Sequence, residues 1–153
     1  MKTVVQRVTC ATVRVGGAVV AAIDRGVLAF VGVERGDGVP DADVTARKIA
    51  ALRLFPGRTP MDLSLAEVQG ACLVVSQFTL VASLSKGSRP SFEPAEEPVR
   101  AQALYERVAQ GLREAGLQVA TGRFGADMEV ELVNDGPVTF LVFARDGALV
   151  KQA

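Results

Sequence analysis

The 153 residues of this chain include no histidine, and that absence closes several routes to catalysis at once. No Ser-His-Asp or Cys-His arrangement can form. No imidazole is present to hold a metal-bound hydroxide. Two cysteines, Cys10 and Cys72, fall short of the four ligands that a structural zinc requires. The phosphate-cradling patterns G-x-x-x-x-G-K-[ST] and G-x-G-x-x-G do not occur. An enzyme built on this sequence is therefore expected to use backbone N–H groups, hydroxyls, amides and groups on its own substrate. No metal and no cofactor is expected.

Two segments carry side chains suited to that style of chemistry. Ser76, Gln77, Phe78, Thr79 and Leu80 end an apolar run with three polar side chains. Exposed N–H groups there, with Gln77 or Thr79, suit a polar ligand. A strand with one solvated face gives the same alternation, and pattern alone favours that plainer reading. The second segment is Asn134, Asp135, Gly136, Pro137, Val138 and Thr139. Asn, Asp, Gly and Pro are the vocabulary of turns, and spacing does not reveal the isomer of the bond before Pro137. Lys86, Arg89 and Arg123 are candidate phosphate contacts or simply solvated charge. Phe124 and Met128 suit contact with a nucleobase or packing in a core.

The elements that must position these residues can be read from periodicity. Residues 4–15 are rich in β-branched side chains and predict a strand. Gly16 and Gly17 turn it into a second strand over 18–23. Residues 27–33 are continuously apolar and predict a buried strand. Helical spacing predicts a helix from Asp41 to about Leu54, with acids early and bases late. Residues 73–80 predict a strand and 82–95 a loop. Residues 96–115 give the clearest helix, with Pro98 in its first turn and Gly116 as its stop. A glycine-containing loop follows at 122–126. Two strands, 128–133 and 138–143, are then expected to flank a turn at 134–137. This order predicts an α+β fold, with two main helices packed on a mixed or mostly antiparallel sheet.

Bulk properties bound the possibilities further. At 49% apolar and 22% charged, the chain suits a globular core. No repeat or linker interrupts it, so one domain over 1–153 is expected, with a core over 1–144 and a loose tail over 145–153. Seventeen basic residues balance seventeen acidic ones, which argues against a general phosphate binder but allows a local basic patch. Both cysteines sit in apolar runs and read as small buried hydrophobes in a reducing compartment. The first fifteen residues lack the apolar core of a signal peptide, and no run approaches the roughly 20 residues that span a bilayer. The expectation is a cytoplasmic protein with no membrane contact.

Five segments together resemble the bacterial-type D-aminoacyl-tRNA deacylases: Val5-Gln6-Arg7-Val8, SQFTL at 76–80, KGSRPSF at 86–92, TGRFGADM at 121–128 and VNDGPVT at 133–139. They occur in the family's order and close to its spacing. The resemblance implies a barrel-like mixed sheet with two main helices, in a homodimer with its active site at the subunit interface. It implies hydrolysis of the ester between a D-amino acid and the 3′ acceptor end of tRNA. Ser76, Gln77, Phe78 and Thr79 then form the catalytic segment around the aminoacyl group. Gly136 and Pro137, joined by a cis bond and inserted from the partner, then bind the amino group and exclude an L side chain, while Arg7 orients them. Lys86, Arg89, Pro90, Phe92, Phe124, Gly125, Ala126, Met128, Val138 and Thr139 fall on the substrate and tRNA side, with Phe124 and Met128 near the terminal adenosine. The resemblance further implies catalysis assisted by the ribose 2′-hydroxyl, and glycine as a leaking substrate, including Gly mischarged on tRNA(Ala).

Val81 and Ser83 stand where the family often has an aromatic residue and an aspartate. Ser85 and Ser88 make the 82–92 loop less basic. Three alternatives remain open on sequence: a non-catalytic or synthetase-associated aminoacyl-RNA binding module of the same fold, a dimerisation protein with no small-molecule site, and a relative with a trans Gly-Pro bond and altered stereochemical preference.

Overall fold

The structure, a computed structural model, describes residues 1–151. Strand β1 (Lys2–Val15) is long because nothing between Val4 and Val15 breaks an extended chain. Gly16 and Gly17 both take positive φ, which lets the chain reverse into β2 (Ala18–Ile23). Strand β3 (Gly26–Gly32) follows, almost wholly buried as its apolar run requires. Helix α1 (Val39–Ala51) begins earlier than the sequence suggests and ends earlier too. Pro40 suits its first turn, and Leu52 has already turned extended. Arg53 therefore leaves the helix for β4 (Arg53–Phe55), which pairs with β5 (Leu63–Ser64) as a separate two-stranded ribbon.

Strand β6 (Ala71–Ser76) stops short of the expected Leu80. Residues Phe78–Val81 wind instead into a single 3₁₀ turn, with Leu80 N–H donating to the Gln77 carbonyl at 3.2 Å. Helix α2 (Pro98–Glu114) is capped by Glu97, whose side chain accepts from Arg100 N–H at 2.8 Å. Strand β7 (Gln118–Thr121) was not evident from periodicity, being only four residues long. Strand β8 (Glu129–Arg145) is one long strand where two strands and a turn were expected. Its end pairs with β9 (Ala148–Leu149), so part of the expected loose tail is tied to the sheet. Residues 152 and 153 of that tail lie outside the described residues.

The main sheet has seven strands in the order β7-β6-β3-β1-β8-β9, with β2 also paired to β1. Pairings of β3 with β6 and of β6 with β7 are parallel, and those of β1 are antiparallel. The sheet is thus mixed. Strand β2 reaches across to touch β6 and β7, so the sheet curls into a half barrel. Val8, Val13, Leu28, Leu73 and Val75 fill the inside of the curl. Helices α1 and α2 pack on each other and on the outer face, where Ile49 of α1 and Leu112 of α2 share one core with Val5, Val27, Ala29 and Val74 of the strands. Burial of each valine, leucine and isoleucine there contributes about 1.5–3 kcal/mol. Cys72 belongs to that core, whereas Cys10 is exposed, contrary to its apolar surroundings in sequence. Cys10 pairs with Val133 of β8 near a register shift, on a stretch of β1 whose burial alternation is broken.

No helix among the described residues is long and apolar enough to cross a membrane.

Candidate active site

Parallel strands β3 and β6 end side by side, and the chain leaves each at the same edge of the sheet. Such carboxyl edges commonly host ligands, because the departing loops leave a crevice. A cavity of about 300 Å³ lies here. Val31 and Val33 line it from the end of β3, and Ser76, Gln77 and Phe78 from the end of β6. Ala95 before α2, and Pro98 and Tyr105 on it, line a further side, and Phe124 and Gly125 close it after β7. The lining is mainly apolar with a few polar atoms, as suits a small organic group with a polar tail.

Its polar groups are already constrained. The Gln77 side-chain amide donates to the Thr79 hydroxyl. That contact gives Thr79 a donor, not a base to remove its proton. Glu96 also lines the cavity, but one oxygen accepts from Glu97 N–H at 2.9 Å and the other pairs with Arg100 at 3.2 Å. Tyr105 donates its hydroxyl to the Val74 carbonyl at 2.8 Å, and burial pushes its pKa up to about 12. It is neutral near pH 7 and serves as an anchor. Cys72 is likewise pushed up to about 12 by burial and is inert as a nucleophile. The first N–H groups of a short helix have no acceptor within it, and Phe78 and Thr79 open the 3₁₀ turn in this way.

A second arrangement stands on β8. Between the pairs Gln6–Thr139 and Val8–Asn134, β1 advances two residues while β8 advances five. The surplus is a bulge that lifts Gly136 and Pro137 to the surface. The Gly136–Pro137 peptide is cis, and Gly136 has φ of +129°. A Cβ on Gly136 would lie 2.7 Å from Val138 Cγ2 and 3.2 Å from Arg7 Nη2, so only glycine fits. Arg7, nearly buried, supports the bulge from β1. Its Nε donates to the Asp135 carbonyl and meets the Asp135 carboxylate, both at 3.2 Å. Its Nη1 donates to the Leu54 carbonyl at 2.6 Å. Asn134 clamps the far side, accepting from Val138 N–H at 3.2 Å and donating to Thr139 Oγ1 at 3.1 Å. Gln6 donates to the same hydroxyl at 3.2 Å.

The fold thus brings Ser76, Gln77 and Phe78 together with Phe124 and Gly125. Phe92 joins them through an edge-on contact with Phe78, ring centres 5.0 Å apart. Lys86, Arg89 and Pro90 sit on the exposed loop and do not line the cavity. Ala126 closes a turn onto the Arg123 carbonyl at 3.2 Å. Met128 packs against the core inside the curled sheet rather than on the cavity. Gly136, Pro137, Val138 and Thr139 do not line the cavity of their own chain. Sequence reasoning missed Asn134 as a clamp and Tyr105 as a buried anchor. The signal for Tyr105 was its hydroxyl, since a phenol on a buried face needs an acceptor.

Comparison with known proteins gives the chain's family. The family model described as D-Tyr-tRNA(Tyr) deacylase matches residues 4–143. The D-aminoacyl-tRNA deacylase of Anaeromyxobacter dehalogenans is 57% identical over 95% of this chain and 98% of its own length. That of Methylococcus capsulatus is 52% identical over 93% of this chain and 94% of its own. Among solved structures, one titled c-Myc DNA Unwinding Element Binding Protein superposes with a TM-score of 0.88 at 37% identity, covering 95% of this chain and 99% of that one. With a profile spanning nearly its whole length and relatives above half identity, the chain belongs to the D-Tyr-tRNA(Tyr) deacylase family.

Proposed function

We propose that this chain is a D-aminoacyl-tRNA deacylase that hydrolyses the ester between a D-amino acid and the terminal ribose of tRNA. Family membership and the names of relatives at 52–57% identity support the activity. The observation that carries the finer reading is the pair of half-sites: a cavity at the ends of β3 and β6, and a buttressed Gly136-Pro137 bulge on β8 outside that cavity. One chain supplies the pocket and a second copy supplies the bulge. Exposed Val133 and Phe140 beside the bulge give a homodimer its apolar contact. The working unit is one domain over 1–153, acting in the cytoplasm where charged tRNA is made.

The terminal adenosine occupies the cavity against Phe124, and the ester carbonyl meets the N–H groups of Phe78 and Thr79. Those donors stabilise the oxyanion of the tetrahedral intermediate. The partner's Gly136 and Pro137 present backbone to the substrate Cα. A D side chain points away from that wall, while an L side chain drives its Cβ into it. Rejection by clash is indifferent to side-chain identity, and glycine, with no Cβ, leaks through, including glycine mischarged on tRNA(Ala).

Water adds to the ester carbon, and the bond to the ribose oxygen breaks. The ribose oxygen takes the proton, leaving free amino acid and tRNA. With Thr79 bonded to Gln77 and Glu96 held by Arg100, the ribose 2′-hydroxyl assists the water. The protein supplies position and oxyanion donors. Mixing the protein with D-tyrosyl-tRNA tests the reading. Release of D-tyrosine with turnover supports it, and retention of intact D-tyrosyl-tRNA assigns a binding module instead.

A further inference from the structure

Phe124 is a wall shared by two spaces. Beyond it from the cavity, an open groove of about 670 Å³ runs between α2 and the chain at 121–124. Tyr105 and Phe124, ring centres 5.9 Å apart, line both spaces. Three arginines line the groove: Arg107, Arg113 and Arg123. Arg107 is neutralised by Asp43 at 2.7 Å and approaches Glu114 at 3.9 Å. Arg113 and Arg123 form no ion pair among the described residues, and both are exposed. The groove's carboxylate, Glu106, accepts from Gln102 at 3.0 Å.

With Arg107 offset by Asp43, the guanidiniums of Arg113 and Arg123 outnumber the one lining carboxylate, Glu106, and leave a local positive field in a chain whose total charge is zero. Guanidinium forks match phosphate oxygens in pairs. A positive groove with an aromatic ring at its end is also how proteins follow a single strand of nucleic acid.

We propose that this groove holds the single-stranded RNA immediately preceding the terminal adenosine, with Arg113 and Arg123 on its phosphates. The inference rests on the reading that the adenosine occupies the cavity on the other side of Phe124. The two spaces adjoin across Phe124, so a strand leaving the pocket around that ring meets the groove next. The two arginines are positioning residues for the substrate and take no part in breaking the ester.

The test compares the intact protein with an Arg113→Gln/Arg123→Gln double variant, and with Arg47→Gln on the exposed face of α1 as a control. Two substrates are used: D-tyrosyl-tRNA and D-tyrosyl-adenosine, which lacks the preceding phosphate. In the double variant the ratio of kcat/KM between them falls about tenfold, through KM for the tRNA, while Arg47→Gln keeps the wild-type ratio. In parallel, a labelled single-stranded RNA ending in CCA binds about tenfold more weakly. Its plot of log affinity against log salt flattens by about 1.4, the value for two phosphate contacts on a single strand. An unchanged ratio overturns the proposal, as does an equal loss on both substrates. If the wild-type protein releases D-tyrosine from neither substrate, the functional reading has failed. The RNA measurement then decides the groove alone, and unaltered binding by the double variant overturns it.

Discussion

Arg7 holds two backbone carbonyls, those of Leu54 and Asp135, from one nearly buried guanidinium. Replacing it with Met strands both acceptors, and each lost partner costs about 1–3 kcal/mol. Urea denaturation of Arg7→Met is expected to show a loss of roughly 2–4 kcal/mol, with a matching drop in kcat/KM as the bulge loses its support. Lysine restores one bond at most and recovers only part of the loss. Gly136→Ala places its Cβ 2.7 Å from Val138 Cγ2, closer than side chains approach, and crowds Arg7 at 3.2 Å, in a backbone region that L residues avoid. Thermal melting is expected to show it clearly less stable than wild type. Thr79 is the opposite case. Its hydroxyl receives a hydrogen bond from Gln77 and has no base to activate it. Single-turnover assays of Thr79→Ala are expected to stay within about threefold of wild type, whereas a collapse with intact binding makes Thr79 the nucleophile.

Strand β8 shows why elements were legible in outline but misjudged in detail. Asn134 to Pro137 reads as a turn because those residues favour turns locally. Yet β1 runs unbroken for fourteen residues and pairs with β8 on both sides of the bulge, so the turn-forming residues stay in the strand. Long-range pairing overrode local preference. The 3₁₀ turn at Phe78–Val81 was hidden for the converse reason: FTLV has strand-like composition, but its partner β3 ends at Gly32. The mixed sheet, the two helices and the first hairpin followed from periodicity and glycine placement, whereas the curl of the sheet came only with the family resemblance. The shape of the cavity did not, since Tyr105 and Phe124 meet only through the fold. Core placement of Cys72 on β6 and Tyr105 on α2 also sets a pH response. Both folded groups keep their protons to about 12, against ordinary values of 9.0 and 10.0. Between those limits the unfolded chain loses protons that the folded chain retains, so stability falls as pH rises. Each group contributes a slope of at most about 1.4 kcal/mol per pH unit. Denaturation midpoints between pH 9 and 11 are expected to fall less steeply in Cys72→Ala than in wild type.

For the whole molecule, the pocket and the bulge require two copies to meet. The proposed dimer predicts that Phe140→Asp lowers the sedimentation coefficient to a monomer value and removes activity along with it. A fully active monomer contradicts the shared site. Stereochemistry tests the account most directly. Rates of amino acid release are measured from D-tyrosyl-, L-tyrosyl- and glycyl-tRNA under identical conditions, with spontaneous hydrolysis subtracted. Steric sensing by backbone predicts rapid release of D-tyrosine, measurable release of glycine and no release of L-tyrosine above background. Hydrolysis of the L ester at the rate of the D ester contradicts it.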